Sequence, residues 1–302
     1  MERDLLSHLP VVIAVARRGG FASAAAELGM SASAVSHAVR TVEDRVGAPL
    51  FARTTRSVAL TQAGESLVSS VGPALDEIQE ALERLRAARG KVTGVLRLNA
   101  PRVALLMTIT PILAALARRH PDLAVEIVSD DALTDIVAGG FDAGVRLGGM
   151  IAQDMVAVRL TPPFKAILVA APDYLAASGE PKTIDDLARH NCIGFRLPAS
   201  GGTYAWELSQ DGADIAVAVR GTALVTDATY ARDLALGGVG VAYIFEPLVR
   251  ADISARRLRQ ILPEAAIEEP GLFLYYPRRA SEAPKLRAFI DAAKEVLAAG
   301  KA

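Results

Sequence analysis

Gly20-Phe-Ala-Ser-Ala-Ala-Ala-Glu-Leu-Gly29-Met-Ser-Ala-Ser-Ala-Val-Ser-His-Ala-Val-Arg-Thr-Val-Glu43 is the stretch whose reading decides the fold. From Phe21 onward small alanines share one helical face, so a second helix can approach closely before Gly29 stops the first. Ser31 then offers an oxygen suited to capping the next helix. In that helix Val35, Val39 and Val42 recur at spacings of four and three, which predicts one buried face. The other face carries Ser33, Ser36, His37 and Arg40. Two short helices joined by a glycine-bearing turn, the second exposing small polar groups and a cation, have the pattern of a helix-turn-helix that reads DNA.

Moving outward, the order continues through Thr41-Val-Glu-Asp-Arg-Val-Gly47, Leu50-Phe51, Arg53-Thr54, Arg56 and Leu60-Thr61-Gln62-Ala63-Gly64. Over this run of about sixty residues the chain resembles the N-terminal domain of LysR-type transcriptional regulators. The resemblance implies a winged helix-turn-helix DNA-binding domain over residues 1–64 and a partly palindromic double-stranded operator. It assigns Ser23, Ser31, Ala32, Ser33, Ala34, Ser36, His37, Arg40, Arg53, Thr54 and Arg56 to DNA binding. Ser33, Ser36 and His37 are expected to read bases. Arg53 and Arg56 flank Thr54-Thr55 on a hairpin wing and suit phosphate or minor-groove contact. Many relatives place glutamine where this chain has Ala32 and a basic residue where it has His37. Those departures keep open a second reading, a cytoplasmic small-molecule binding protein with a degenerate DNA-binding domain.

Length and composition bound the remainder. The 302 residues suffice for two or three domains, and a hydrophobic share of 51% can fill sizeable cores. A net charge of −1 excludes a surface that meets phosphate all over, so any basic character must be local. Residues 1–64 hold seven Lys/Arg against five acids, while the rest holds 26 bases against 29 acids, and the asymmetry has the sign DNA binding requires. Met1-Glu-Arg-Asp lacks a basic segment followed by an apolar run, which predicts a cytoplasmic chain with no membrane partner. A single cysteine and four histidines without metal-ligand spacing predict no metal and no cofactor.

Leu5 to Ala16 has the apolar content of a first helix, and Pro10 predicts that it begins there or kinks. Between Glu65 and Arg89, Val71, Leu75, Ile78, Leu82 and Leu85 recur at 4-3-4-3, a heptad seam flanked by charge. Such a helix needs one partner along its stripe. The resemblance makes residues 65–90 a dimerising linker helix that pairs two subunits, ended by Gly90. It implies a homodimer, further association into a homotetramer, and RNA polymerase as a candidate partner.

Past Gly90 strands and helices alternate, the sign of an α/β domain with a largely parallel sheet. Strands are expected at 95–99, 123–127, 143–147, 166–170 and 272–276, and helices at 105–119, kinked at Pro111, and 283–298. Pro162-Pro163 and Pro270-Gly271 mark crossings between subdomains. The whole chain resembles a LysR-type regulator with an α/β effector domain of two subdomains, similar to type 2 periplasmic binding proteins. Residues 91–163 and 268–302 form the first subdomain, and 164–267 the second.

Ligands of open α/β sheets lie beyond the carboxyl ends of strands. That rule gathers Asn99, Ala100, Pro101, Arg102, Arg146, Leu147, Gly148, Phe195, Arg196, Thr226, Asp227, Tyr243 and Phe245 as the effector site. The three arginines suit a small organic anion, aromatic in view of the neighbouring Tyr204 and Trp206, though each arginine could instead balance Asp227 or Glu246. Enzymatic readings fare worse. Gly237-Gly-Val-Gly240 lacks the Lys-Ser/Thr of a phosphate loop and reads as a helix-to-strand turn. Cys192 and His190 lie too close in sequence for a nucleophile and its base to face each other, so the chain is read as a non-enzyme.

Overall fold

The computed structural model describes residues 3–299 apart from 54–57, 88–90, 130–134, 138, 153 and 198–199. The chain forms two compact units, the first made mainly of residues 1–93 and the second mainly of residues 94–302.

The first unit contains α1 (Arg3–Arg18), α2 (Phe21–Leu28), α3 (Ala32–Val46), the two-stranded wing β1 (Phe51–Arg53) and β2 (Val58–Leu60), and α4 (Gln62–Ala87). Val12, Val15, Ala24, Val35, Val39, Val42 and Leu50 are wholly excluded from solvent, so the stripes of α1, α2 and α3 share one core. Gly29 adopts φ +63° at the end of α2, the left-handed conformation that lets its N–H return to the Ala25 carbonyl. The first helix does not begin at Pro10; it begins at Arg3 and runs through the proline. A proline there deletes one backbone bond in a helix whose Leu9, Val11 and Val12 are all buried, and that burial outweighs the loss.

The long helix α4 starts at Gln62, three residues ahead of the expected boundary, because Thr61 caps it: the Gly64 N–H donates to Thr61 Oγ1 at 3.1 Å. The same hydroxyl donates to the Pro49 carbonyl at 2.7 Å, tying the helix start to the chain before the wing. A Cβ on Gly64 would lie 2.1 Å from the Leu50 carbonyl oxygen, so only glycine fits where α4 passes the wing. Gly72 and Pro73 lie inside the helix, and Gly90 falls outside the described residues. The heptad seam divides. Val71 and Leu75 pack against the core of their own unit, correcting their assignment to the dimer seam, whereas Ile78, Leu82 and Leu85 are 59%, 45% and 68% exposed. The physical reason is position: Val71 and Leu75 stand where α4 still runs beside α1, to which Arg17 and Asp76 bolt it with a 2.6 Å ion pair.

The second unit opens with β3 (Gly94–Ala100), the short α5 (Arg102–Ala104), a π turn at Leu105–Ile109, α6 (Thr110–Arg119), β4 (Leu123–Ser129), β5 (Ala143–Leu147) and β6 (Met155–Arg159). The irregularity expected at Pro111 falls one turn earlier. Pro111 sits in the first turn of α6, where its missing N–H costs nothing, and the π turn ahead of it is braced by Thr110 Oγ1 donating to the Leu105 carbonyl at 2.7 Å. Then follow β7 (Phe164–Ala170), α7 (Pro172–Ser178), β8 (Cys192–Phe195), the hairpin β9 (Trp206–Gln210) and β10 (Ala213–Val217), and β11 (Leu224–Val225). Next come α8 (Ala228–Leu236), β12 (Val241–Phe245), α9 (Glu246–Ser254), β13 (Arg259–Ile261) and β14 (Ile267–Glu269), before β15 (Leu272–Pro277) and α10 (Pro284–Ala299).

Two sheets result. One has the order β4-β3-β5-β15-β6, the other β11-β8-β12-β7-β13 with β14 also on β7. Both are mixed rather than largely parallel: β15 runs antiparallel to β5 and β6, and β12 antiparallel to β7. The chain leaves the first sheet at Leu160 and re-enters at Leu272 in the opposite sense, so no crossover helix sets β15 parallel. Since β14 pairs with β7, the return crossing lies at Pro270-Gly271, and Glu268 and Glu269 belong with the second sheet rather than the first. The two crossings are joined: Leu160 N–H donates to the Leu272 carbonyl at 2.8 Å, and Leu272 N–H to Thr161 Oγ1 at 2.9 Å.

Candidate functional sites

On α3 the polar face is built by the register of the buried one. With Val35, Ala38, Val39 and Val42 inside, Ser33, His37 and Arg40 emerge at i, i+4 and i+7 as exposed neighbours on a single stripe, with Ser36 half-buried beside them. Ser31 caps the helix, its Oγ accepting from the Ala34 N–H at 3.1 Å and lying 2.9 Å from Ser33 Oγ, so this oxygen already has structural work. Ala32 is exposed, Ala34 half-buried, and Ser23 exposed on α2. The stripe therefore presents two hydroxyls, an imidazole and a guanidinium to a groove-sized partner. Arg53 ends β1, while Thr54 and Arg56 lie outside the described residues. Glu43, which sequence reasoning gave no task, holds the wing by accepting from the Leu50 N–H at 2.8 Å.

In the second unit a cavity of about 280 Å³ lies where strand ends of the two sheets meet. The first sheet and its connections contribute Pro101, Arg102, Val103, Arg146, Leu147 and Met150. The second contributes Ile193, Phe195, Leu197, Tyr204, Trp206 and Asp227, and further along Tyr243, Ile244 and Phe245. Ala228 and Ala231 of α8 complete one wall, and Glu269 and Leu272 bracket the return crossing. Aromatic faces dominate: Trp206 and Tyr243 stack at 5.9 Å and 22°, and Tyr204 lies 6.4 Å from Tyr243.

Eight of the residues gathered from the sequence line this cavity: Pro101, Arg102, Arg146, Leu147, Phe195, Asp227, Tyr243 and Phe245. Five others do not. Asn99 and Ala100 are buried at the end of β3, Gly148 lies under the Phe273 ring, Thr226 is exposed, and Arg196 turns outward to donate to the Gly201 carbonyl at 2.9 Å. The arginines thus have distinct fates. Arg102 Nε pairs with Asp227 Oδ2 at 2.6 Å, joining the first subdomain to the N-terminus of α8, where Asp227 Oδ1 also accepts from Thr229 N–H at 2.7 Å. Arg146, 3% exposed, donates to Asn99 Oδ1 and to the Val145 carbonyl, each at 2.7 Å. Glu246 pairs with Arg250 one turn along α9, which holds its carboxyl below the usual range.

The acidic part of the wall went unnoticed in the sequence. Burial, with the Glu207 charge added, pushes the Glu269 carboxyl up, and burial also raises the Tyr204 and Tyr243 phenols. Tyr243 Oη is enclosed without a hydrogen-bond partner among the described residues. The available signal was an acid at the end of a strand beside Pro270-Gly271. Elsewhere, Cys192 is buried, its thiol pushed up to about 11, and His190 Nδ1 lies 3.1 Å from Tyr174 Oη, so the two form no catalytic pair. Gly237 to Gly240 makes the turn between α8 and β12. Among the described residues no group of three metal-ligating side chains forms, and no helix is long and apolar enough to cross a membrane.

Comparison with known proteins gives two family matches: the bacterial regulatory helix-turn-helix protein, lysR family, over residues 6–65, and the LysR substrate binding domain over residues 89–298. The uncharacterized HTH-type transcriptional regulator YcaN of Escherichia coli (strain K12) is 39% identical over 289 residues, covering 96% of this chain and 94% of its own. The HTH-type transcriptional regulator PgrR of the same organism is 35% identical, covering 97% and 98%. Among solved structures, CrgA, a LysR-type transcriptional regulator from Neisseria meningitidis, superposes with a TM-score of 0.60 at 29% identity, covering 96% and 98%.

Proposed function

Because this chain belongs to the LysR family of transcriptional regulators, we propose that its polar α3 stripe reads a partly palindromic operator while the cavity of the second unit receives the small molecule that controls operator binding or promoter activation. LysR-type regulators bind DNA and effectors and form oligomers. For this chain the finer reading is a cytoplasmic, non-enzymatic homodimer that pairs into a homotetramer and meets RNA polymerase at its promoters. Residues 1–64 serve DNA, 65–90 pair subunits through Ile78, Leu82 and Leu85, and the remainder binds effector. The observation that carries the DNA assignment is the exposure of Ser33, His37 and Arg40 on one stripe, directly opposite three fully buried valines.

The test is an operator titration at several salt concentrations. His37→Ala, which deletes a base-reading group, is expected to relax specificity at one position and to cost about 1–3 kcal/mol. Arg40→Ala, which deletes a phosphate-binding charge, is expected to weaken all sequences alike and to lower the salt slope by about one. Unchanged affinity and slope in the double variant would sink the assignment. For the effector, the buried guanidinium of Arg146 in an aromatic wall supports an organic anion. Aromatic carboxylates are expected to raise the melting temperature of the wild type, and Arg146→Gln to remove that shift while retaining its unliganded transition.

A further inference from the structure

Charge in the cavity wall is divided in a way that says more about the effector than its anionic end. Both lining arginines are engaged within the protein, Arg102 by the Asp227 carboxylate and Arg146 by Asn99 and the Val145 carbonyl. Glu269 stands differently. It is half-buried, it lines the same cavity, and among the described residues its carboxylate makes no hydrogen bond or ion pair. The same cavity is lined by Tyr243, whose enclosed Oη has no hydrogen-bond partner among the described residues either, and by Tyr204 and Trp206, whose rings lie beside that of Tyr243.

A carboxylate taken partly out of water with nothing to balance it is costly, and so is a phenol oxygen enclosed without a partner. Two such groups on one cavity wall have a common remedy. A cation bearing N–H groups would neutralise the carboxylate, donate to the phenol oxygen and lie against electron-rich ring faces, which attract ammonium ions. Glu207 argues the same way: its charge adds a second negative potential at Glu269, and it already holds the Tyr204 hydroxyl by a hydrogen bond. A neutral hydroxyl could satisfy Tyr243 but would leave Glu269 unbalanced, and an anionic group placed at this end of the cavity would meet the Glu269 carboxylate.

We infer that Glu269 and Tyr243, backed by Tyr204 and Trp206, form an ammonium subsite, so that the effector is a small aromatic or apolar amine. The inference rests on the cavity being the effector site. If the anionic reading at Arg146 also holds, the effector carries both charges.

The experiment uses the full-length protein and three probes of matched skeleton: 2-phenylethylamine, 2-phenylethanol and 3-phenylpropanoate, each followed by thermal shift and isothermal titration calorimetry. The amine is expected to bind wild type at least tenfold tighter than the alcohol. Glu269→Gln, nearly isosteric, is expected to weaken the amine tenfold or more and leave the alcohol within twofold, and Tyr243→Phe to weaken the amine about threefold. Should Glu269→Gln fail to fold, the Tyr243→Phe ratio decides alone. Equal binding of amine and alcohol, no binding of the amine, or an amine affinity untouched by the decisive variant overturns the subsite. Binding of 3-phenylpropanoate alone overturns it too, yet leaves the cavity as the effector site.

Discussion

The α3 stripe and the effector cavity are both recognition surfaces, but they are assembled from opposite kinds of information. The stripe occupies one helix, and fixing three valines inward dictates where Ser33, His37 and Arg40 emerge. The cavity draws on strand ends from residue 101 to residue 272, and no local period relates Arg146 to Glu269 or Tyr243. A surface made by helical periodicity is decided as soon as the helix is, whereas a cavity is decided only when every contributing segment has its place. The first unit also contains a smaller version of the same contrast, because α4 spends its first turns on the core of its own unit and its later ones in solvent.

The hardest blow to that contrast would come at Gly64. Within the local motif it looks like one more family letter, yet its space is set by the Leu50 carbonyl fourteen positions away. Gly64→Val is expected to destabilise the first unit by about 3 kcal/mol or more, since the clash is with backbone that cannot rotate away. Calorimetry should then show the transition of the first unit lowered and that of the second unit unchanged. An unaltered first transition would mean that the wing is not held against α4 as described.

The division of α4 can be sharpened with two substitutions at neighbouring positions of one stripe. Leu75→Asp should cost about 1–3 kcal/mol of first-unit stability by placing a charge against the α1 side of the core. Ile78→Asp, starting from a side chain 59% exposed, should leave the unfolding of an isolated subunit nearly unchanged while light scattering at micromolar concentration reports one subunit in place of two. A dimer that survives Ile78→Asp would move the pairing surface away from α4.

The smallest expected effect tests how much the start of α3 depends on its cap. Ser31→Ala removes the oxygen that accepts from the Ala34 N–H and should cost about 1 kcal/mol, read as a modest drop in the first transition. Operator affinity should fall by no more than that loss of helix order implies, because Ser31 Oγ is committed to the cap and to Ser33. A drop in affinity far beyond the stability change would return Ser31 to the DNA contacts.

What the sequence determined alone is the helix-turn-helix and, beyond it, an α/β alternation with five of the strands, while the remaining strands and the mixed sense of both sheets were not legible there. Gly29, Ser31 and the valines of α3 act through bonds within a few residues, so their consequences are legible without the rest of the chain. The joining of subdomains at Pro162-Pro163 and Pro270-Gly271 was legible for the same reason, since proline and glycine constrain their own backbone. Tertiary structure alone decided the partners. It gave Arg102 to Asp227 and turned Arg196 outward, it took Val71 and Leu75 for the core of their own unit, and it brought Glu269 and Tyr243 into the lining of one cavity. Electrostatic and packing energies depend on distance in space, and distance in space between residues a hundred positions apart exists only once both sheets have closed on their crossings.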